Sequence, residues 1–138
     1  QLPAPVDSNR PPATLVVDPL QEVRHLALCR YMIAAGKAQH AVNWLRHLLR
    51  LAERGGRLRS CVRINGLLAL AQAARDQHDS ALRYVRETLM LGERGGFARI
   101  IIDLGDDLMA LLDAYQQRLQ AARTVQRLDS GDHRLETL

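Results

Sequence analysis

Carboxylates and imidazoles are the side chains of this sequence best suited to acid–base or metal chemistry. Asp103, Asp106 and Asp107 lie close together, and His40 and His47 are seven residues apart. Paired carboxylates can transfer protons, but Asp also caps helix N-termini, and capping is our preferred interpretation of this group. Two histidines without a supporting Cys or Glu do not form the ligand set of a zinc site. We therefore predict no catalytic residue and no metal site.

Motifs that bind phosphate or metal are absent from the sequence. The chain contains no GxxxxGK[ST] loop, no HExxH and no CxxC. Cys29 and Cys61 have no recognisable disulfide or metal spacing, so we interpret both as small apolar residues inside helices. Reduced cysteines fit a cytoplasmic protein. The sequence predicts a protein that is not an enzyme and that needs no cofactor.

Arginine is the remaining side chain with a chemical role to consider. The net charge is +4, and every one of the 19 basic residues except Lys37 is Arg. Seven basic or titratable residues crowd one segment: Arg46, His47, Arg50, Arg54, Arg57, Arg59 and Arg63. Such a patch can attract an anion or a nucleic acid, but one Phe, one Trp and three Tyr are too few for a base-stacking platform. We interpret the patch as solvated helix faces and expect no direct nucleic-acid binding.

The elements that position these side chains are predicted to be helices. All five prolines lie within residues 1–19, which predicts a linker or frayed end at 1–17 and a helix start at Asp18 and Pro19. The following residues are good helix formers with apolar positions at helical spacing. The predicted helices span 19–35, 38–54, 58–75, 79–94 and 107–127, a third unit begins at Phe97, and residues 129–138 are predicted to be a loose polar tail.

A repeat of forty residues relates these helices to one another. LAERGG at 51–56 returns as LGERGG at 91–96. The same shift places Gly36 on Asp76, Ala41 on Ala81, Trp44 on Tyr84, and Leu45 on Val85. A fixed period of this length is typical of stacked helical hairpins. We predict an all-α, tetratricopeptide-like superhelix over 18–128, with Trp44 and Tyr84 in its core and the small residues Ala41 and Ala81 where the helices of a hairpin approach most closely.

The first helices of successive hairpins line the inner face of such a superhelix. Equivalent turns at Gly36 and Asp76 place Arg30 in one inner position and Arg63 in another. Asp103 lies forty residues after Arg63 and continues that second position into the third unit. The candidate binding residues of this inner wall are Arg30, Arg63, Arg99 and Asp103. Arg presents a planar fork that matches carboxylate or phosphate. The alternative for each Arg is a solvated or salt-bridged side chain, and Arg99 has Asp103 at ion-pair spacing.

The stretch LALCRYMIAAGKAQHAVNWLRHLLRLAERGGR resembles the tetratricopeptide-like region of MalT-type bacterial transcription regulators, which belong to the LuxR family. The resemblance covers about 24–118. The sequence departs from the family pattern at Leu104, where the family has Glu, and at Arg63, where an acid is expected. The residues that fit the family's closing motif are Gly96, Phe97, Arg99, Asp103, Gly105, Met109, Leu111 and Leu112.

The resemblance implies a sensor and interaction region of a cytoplasmic regulator. It also implies an ATP-binding module upstream and a helix-turn-helix module downstream, so we expect this chain to be a fragment that binds neither ATP nor an operator. DNA is an expected partner of the full-length protein only. A small-molecule inducer and a protein partner both remain open as the signal. The alternative is a stand-alone adaptor that binds a protein or forms a homodimer through its exposed ends. No apolar run approaches the length of a membrane span, and no membrane partner is expected.

Overall fold

In a computed structural model, residues 18–136 of the protein form six helices. The structure describes residues 18–136, with side chains through residue 130. The helices are α1 (Pro19–Ala34), α2 (Ala38–Arg54), α3 (Leu58–Ala74), α4 (His78–Gly95), α5 (Ala98–Asp103) and α6 (Asp106–Glu136). No strand occurs within 18–136, so the predicted all-α class is confirmed. The linker predicted at 1–17 lies outside the described residues.

Capping chemistry sets the start of α1. Asp18 has extended backbone angles, and its Oδ1 accepts a hydrogen bond of 2.8 Å from the backbone N–H of Gln21. Pro19 occupies the first helical position, where its missing N–H costs nothing. A side-chain cap of this kind stabilises a helix by about 1 kcal/mol. The predicted start of the first helix is therefore confirmed.

The last helix starts differently from the prediction. The carbonyl of Gly105 accepts a hydrogen bond of 3.2 Å from the N–H of Met109, which makes Gly105 the cap residue. Asp106 and Asp107 lie in the first turn of α6 instead. The prediction that one of them caps this helix is wrong. Their carboxylates favour the helix through its dipole, whose N-terminal end is positive.

The last helix also ends later than predicted. It continues to Glu136, whereas the sequence predicts an end near residue 127 and a loose tail. Residues 116–128 are rich in Gln, Arg, Leu and Ala, all strong helix formers, and no proline follows to stop the helix. The division of the chain into a linker, a repeat domain and a tail remains a prediction.

The forty-residue repeat is present in the backbone. The paired turn residues Gly36 and Asp76 both have positive φ, at 80° and 58°. Behind each turn the same hydrogen bond closes the helix, at 2.7 Å from Lys37 N to Met32 O and at 2.9 Å from Gln77 N to Gln72 O. The next turns match as well, with Arg57 N to Ala52 O at 3.0 Å and Phe97 N to Gly92 O at 2.9 Å. These bonds are those of Schellman-type helix ends. Each unit is therefore a helical hairpin, as predicted.

Asp76 is strained relative to its counterpart in the first unit. A side chain at positive φ costs energy that glycine does not incur. We expect Asp76→Gly to raise the free energy of unfolding by about 0.5 kcal/mol, since glycine's larger chain entropy offsets part of the relief. Urea denaturation at unchanged m-value measures this. The matched variant Gly36→Asp is expected to lower stability by a similar amount, and a loss of stability in Asp76→Gly would contradict the argument.

Helix α3 is the centre of the fold. It packs against all five other helices, and its central residues Ile64, Leu67 and Leu68 are at most 1% exposed. Further buried side chains from α2, α4 and α6 lie around it: Ala41, Trp44, Leu45, Leu48, Ala81, Val85 and Leu108. Tyr84 is only half-buried, although it occupies the repeat position of Trp44. Its hydroxyl lies 3.5 Å from Arg46 Nε, which keeps the polar end of the ring near solvent.

Two buried contacts join α1 to its neighbours. Glu22 is 5% exposed; its Oε1 lies 3.2 Å from Arg57 Nη1, and its Oε2 accepts a hydrogen bond of 2.8 Å from Ser60 Oγ. The ring of His25 stacks on Trp44 with centroids 5.2 Å apart. The first contact connects α1 to the start of α3 and the second connects α1 to α2, so the first hairpin is held to the second.

Candidate functional site

The inner face of the superhelix carries a groove of about 520 Å³, which we call the inner groove. Helix α3 forms its floor, and α1 and α6 form its walls, because each of them contacts α3 and the two do not contact each other. The floor consists of Leu67, Leu70, Ala73 and Ala74. The walls consist of Arg30, Ile33 and Ala34 on α1 and of Asp107, Ala110 and Leu111 on α6, and Leu104 from the junction between α5 and α6 also lines the groove. The volume lies in the range of small-molecule pockets.

Two charged residues line this groove, each on a different helix. Arg30 stands on the α1 wall and Asp107 on the α6 wall, and both are exposed. Neither forms a salt bridge with any residue of the described part of the chain. Arg30 can donate two parallel hydrogen bonds to a carboxylate or phosphate, and Asp107 can accept from a hydroxyl or an amine. The groove can therefore bind an amphipathic ligand that carries polar groups at two points.

The structure separates the four residues predicted for the inner wall. Arg30 lines the inner groove, whereas Arg63, Arg99 and Asp103 do not. Arg99 and Asp103 instead form an exposed ion pair at 3.7 Å, with side chains 89% and 64% exposed. Helix α5 has only six residues, and the longer α6 takes its place as the second wall of the groove. A ligand-binding role of Arg63, Arg99 or Asp103 remains a prediction outside this groove.

Asp107 is the groove residue that sequence reasoning missed. Its closeness to Asp103 and Asp106 in the sequence favours a capping role for all three carboxylates. A usable signal is its spacing of three from Ala110 and four from Leu111, which places all three on one helix face. A charged residue on an otherwise apolar helix face indicates a candidate binding site, because such faces are usually buried in the core.

The basic segment from position 46 to 63 is divided among several contacts. Arg57 is paired with Glu22, and the guanidinium carbon of Arg59 lies 5.4 Å from the centroid of the Phe97 ring, within cation–π distance. Arg50 and Arg54 are exposed. Nearby, burial and then the charges of Arg50 and Arg54 lower the pKa of His47, which is therefore favoured in its neutral form.

Both cysteines are buried thiols. Burial raises the pKa of Cys29 to about 12, and burial followed by the Glu53 carboxylate raises the pKa of Cys61. A thiol held in its neutral form is a poor nucleophile and a poor metal ligand. No group of three His, Cys, Asp or Glu comes together in the described residues as a metal site. None of the helices between residues 18 and 136 is both long enough and apolar enough to cross a bilayer.

Comparison with known protein families gives a match. The family model of the MalT-like TPR region matches residues 7–118, which is more than half of the chain. The match includes residues upstream of α1, where the sequence predicts a linker. Curated proteins and solved structures give no match.

Proposed function

Since the chain belongs to the MalT-like TPR family, we propose that it is a non-catalytic sensor and interaction domain of a bacterial LuxR-type transcription regulator. The observation that carries the proposal is the inner groove, in which Arg30 and Asp107, neither of them salt-bridged to any of the residues 18–130, flank an apolar floor. This arrangement fits binding better than catalysis, because it contains no nucleophile next to a base.

The ligand chemistry follows from the two charges. An effector with an apolar body would contact Leu67 and Leu70 of α3, its carboxylate or phosphate would accept hydrogen bonds from Arg30, and a hydroxyl or amine would donate to Asp107. A small-molecule inducer and an extended segment of a protein partner both fit this description. The groove's 520 Å³ favours the small molecule, because this volume lies in the range of small-molecule pockets.

The mechanism rests on which helices the ligand joins. Arg30 belongs to the first hairpin and Asp107 to the last helix, so a ligand that contacts both favours one spacing of α1 and α6. Helix α6 has 31 residues, or about 46 Å at 1.5 Å per residue. Its residues 116–130 are exposed. A small rotation of α6 in the groove is therefore amplified along the helix toward any module that follows it.

We expect Arg30→Ala to weaken the transcriptional response to the inducing condition by about tenfold or more, the loss of one charge-assisted bidentate contact. The measurement is a reporter assay with the full-length regulator, and circular dichroism of the variant checks its folding. Asp107→Asn is expected to act in the same direction. Arg24→Ala is the matched control, because Arg24 is also an exposed Arg of α1 and does not line the inner groove. An unchanged response in both groove variants would contradict the proposed site.

A stand-alone adaptor is the second candidate. Leu20, Val23 and Tyr31 on α1 are 65%, 57% and 68% exposed, and such apolar side chains at the end of a helical array can bind a partner or a second copy. Reading the coding sequence beyond Leu138 separates the two candidates. A helix-turn-helix module in frame supports the regulator, whereas an early stop codon supports the adaptor.

A further inference from the structure

A second cavity lies on a different face of α3, and we call it the outer cavity. Its volume is about 470 Å³. Its floor is formed by the start of α3 and its walls by α2 and α4, the second helices of the two hairpins. The floor residues Leu58, Cys61 and Asn65 are spaced by three and four positions, so they share one helix face. The inner groove uses the face that contains Leu67 and Leu70 instead.

Two carboxylates stand on the opposite walls of the outer cavity. Glu53 comes from α2 and Glu87 from α4, and both are exposed. Neither forms a salt bridge with any of the residues 18–130, although the chain has 19 basic residues and a net charge of +4. No Arg, Lys or His is among the residues that line the cavity. The charged residues that line the outer cavity are therefore both acidic, although Arg46 Nε lies 3.5 Å from the hydroxyl of Tyr84, which also lines it.

The interior of the outer cavity is apolar with hydrogen-bond acceptors. Leu49, Leu91 and the half-buried ring of Tyr84 form its apolar walls. Asn65 is 5% exposed, and its Nδ2 donates a hydrogen bond of 2.9 Å to the carbonyl of Cys61. The amide oxygen of Asn65 is a hydrogen-bond acceptor that a ligand can use.

We propose that the outer cavity binds a small organic cation, with its ammonium or guanidinium group between Glu53 and Glu87 and its apolar body against Leu49 and Leu91. A cation there gains charge-assisted hydrogen bonds from two carboxylates. The face of Tyr84 adds a cation–π contribution. An anion would meet like charges on both walls, which selects against it. This ligand class differs from that of the inner groove, where Arg30 favours an acidic group.

Three probes with one apolar body test the proposal on the full 138-residue chain. They are 2-phenylethylamine, 2-phenylethanol and 3-phenylpropionate, which are cationic, neutral and anionic at neutral pH. The side-chain amide resonance of Asn65 in a ¹H–¹⁵N spectrum reports binding inside the cavity. We expect the amine to shift this resonance in a saturable way and to bind at least about tenfold more tightly than 3-phenylpropionate.

The variants separate local recognition from overall charge. Glu53→Gln and Glu87→Gln remove one charge each at exposed positions, and their combination is expected to weaken the amine about tenfold. Glu93→Gln is the matched control, because Glu93 is the repeat counterpart of Glu53, is also exposed, and does not line the cavity. Equal affinity for the three probes, no shift of Asn65, or an equal loss in Glu93→Gln would each overturn the proposal.

Discussion

Replacing Leu68 with alanine is expected to lower the free energy of unfolding by about 3 kcal/mol, the central value for truncating a fully buried leucine. Leu68 is 0% exposed and lies on α3, the helix that contacts all the others. Its neighbours belong to a close-packed core, so the cavity cannot collapse without moving several helices. Thermal or urea unfolding measures the change, which corresponds to a fall in Tm of roughly 10 °C.

The repeat supplies the control for this experiment. Leu28 occupies the same position in the first unit but is only half-buried, because α1 is packed on fewer sides. Leu28→Ala is expected to lower the free energy of unfolding by about half as much as Leu68→Ala, because the Leu28 side chain buries less apolar area when the protein folds. Equal losses would mean that the two units are packed equally well, and the description of α3 as the centre would be wrong.

Replacing Arg57 with glutamine is expected to lower the free energy of unfolding by about 2 kcal/mol. The change leaves the Glu22 carboxylate, whose side chain is 7% exposed, with Ser60 as its one remaining hydrogen-bond donor among the described residues. Breaking a fully buried pair costs about 3–5 kcal/mol. The Arg57 side chain is 32% exposed, so water already screens part of this attraction and the expected loss is smaller.

A double-mutant cycle with Glu22→Gln isolates the pair. We expect a coupling energy of about 1–2 kcal/mol, because removing both charges leaves no buried carboxylate unpaired. Arg99→Gln is the matched control, because it breaks an exposed ion pair: the Arg99 side chain is 89% exposed and that of its partner Asp103 is 64% exposed. This variant should change the free energy of unfolding by less than about 0.5 kcal/mol. A coupling energy near zero for Glu22 and Arg57 would show that burial, and not charge, holds this contact.

Local features of the chain were predictable to within a few residues. Proline placement predicts where α1 begins, and the spacing of apolar residues predicts four of the six helices with ends within two residues of those observed. The repeat predicts equivalent turns, and the positive φ at Gly36 and Asp76 confirms them. These features depend on residues close together in sequence, where propensity and capping act directly.

The third unit was the least predictable part. Its first helix, α5, has only six residues, and α6 then packs against α3 and α4 in a way that no spacing indicates. As a consequence Arg99 and Asp103 lie outside the inner groove and Asp107 lies in it. A repeat predicts the next unit only as long as the helix lengths are kept. Because α5 is short, α6 and not α5 packs at the inner position of the third unit, and the forty-residue equivalence no longer predicts which residues line the groove.

The sequence by itself determined that this chain is a stack of helical hairpins with one inner face. Helix propensity, capping and a forty-residue period each depend only on residue types and their spacing in the sequence. Only the tertiary structure decided which charges meet or face each other. Glu22 with Arg57, Arg30 with Asp107, and Glu53 with Glu87 are each brought together from different helices. The physical reason is that the angle and spacing between helices come from side-chain packing over the whole core, so partners distant in sequence are set by that packing and not by any local pattern.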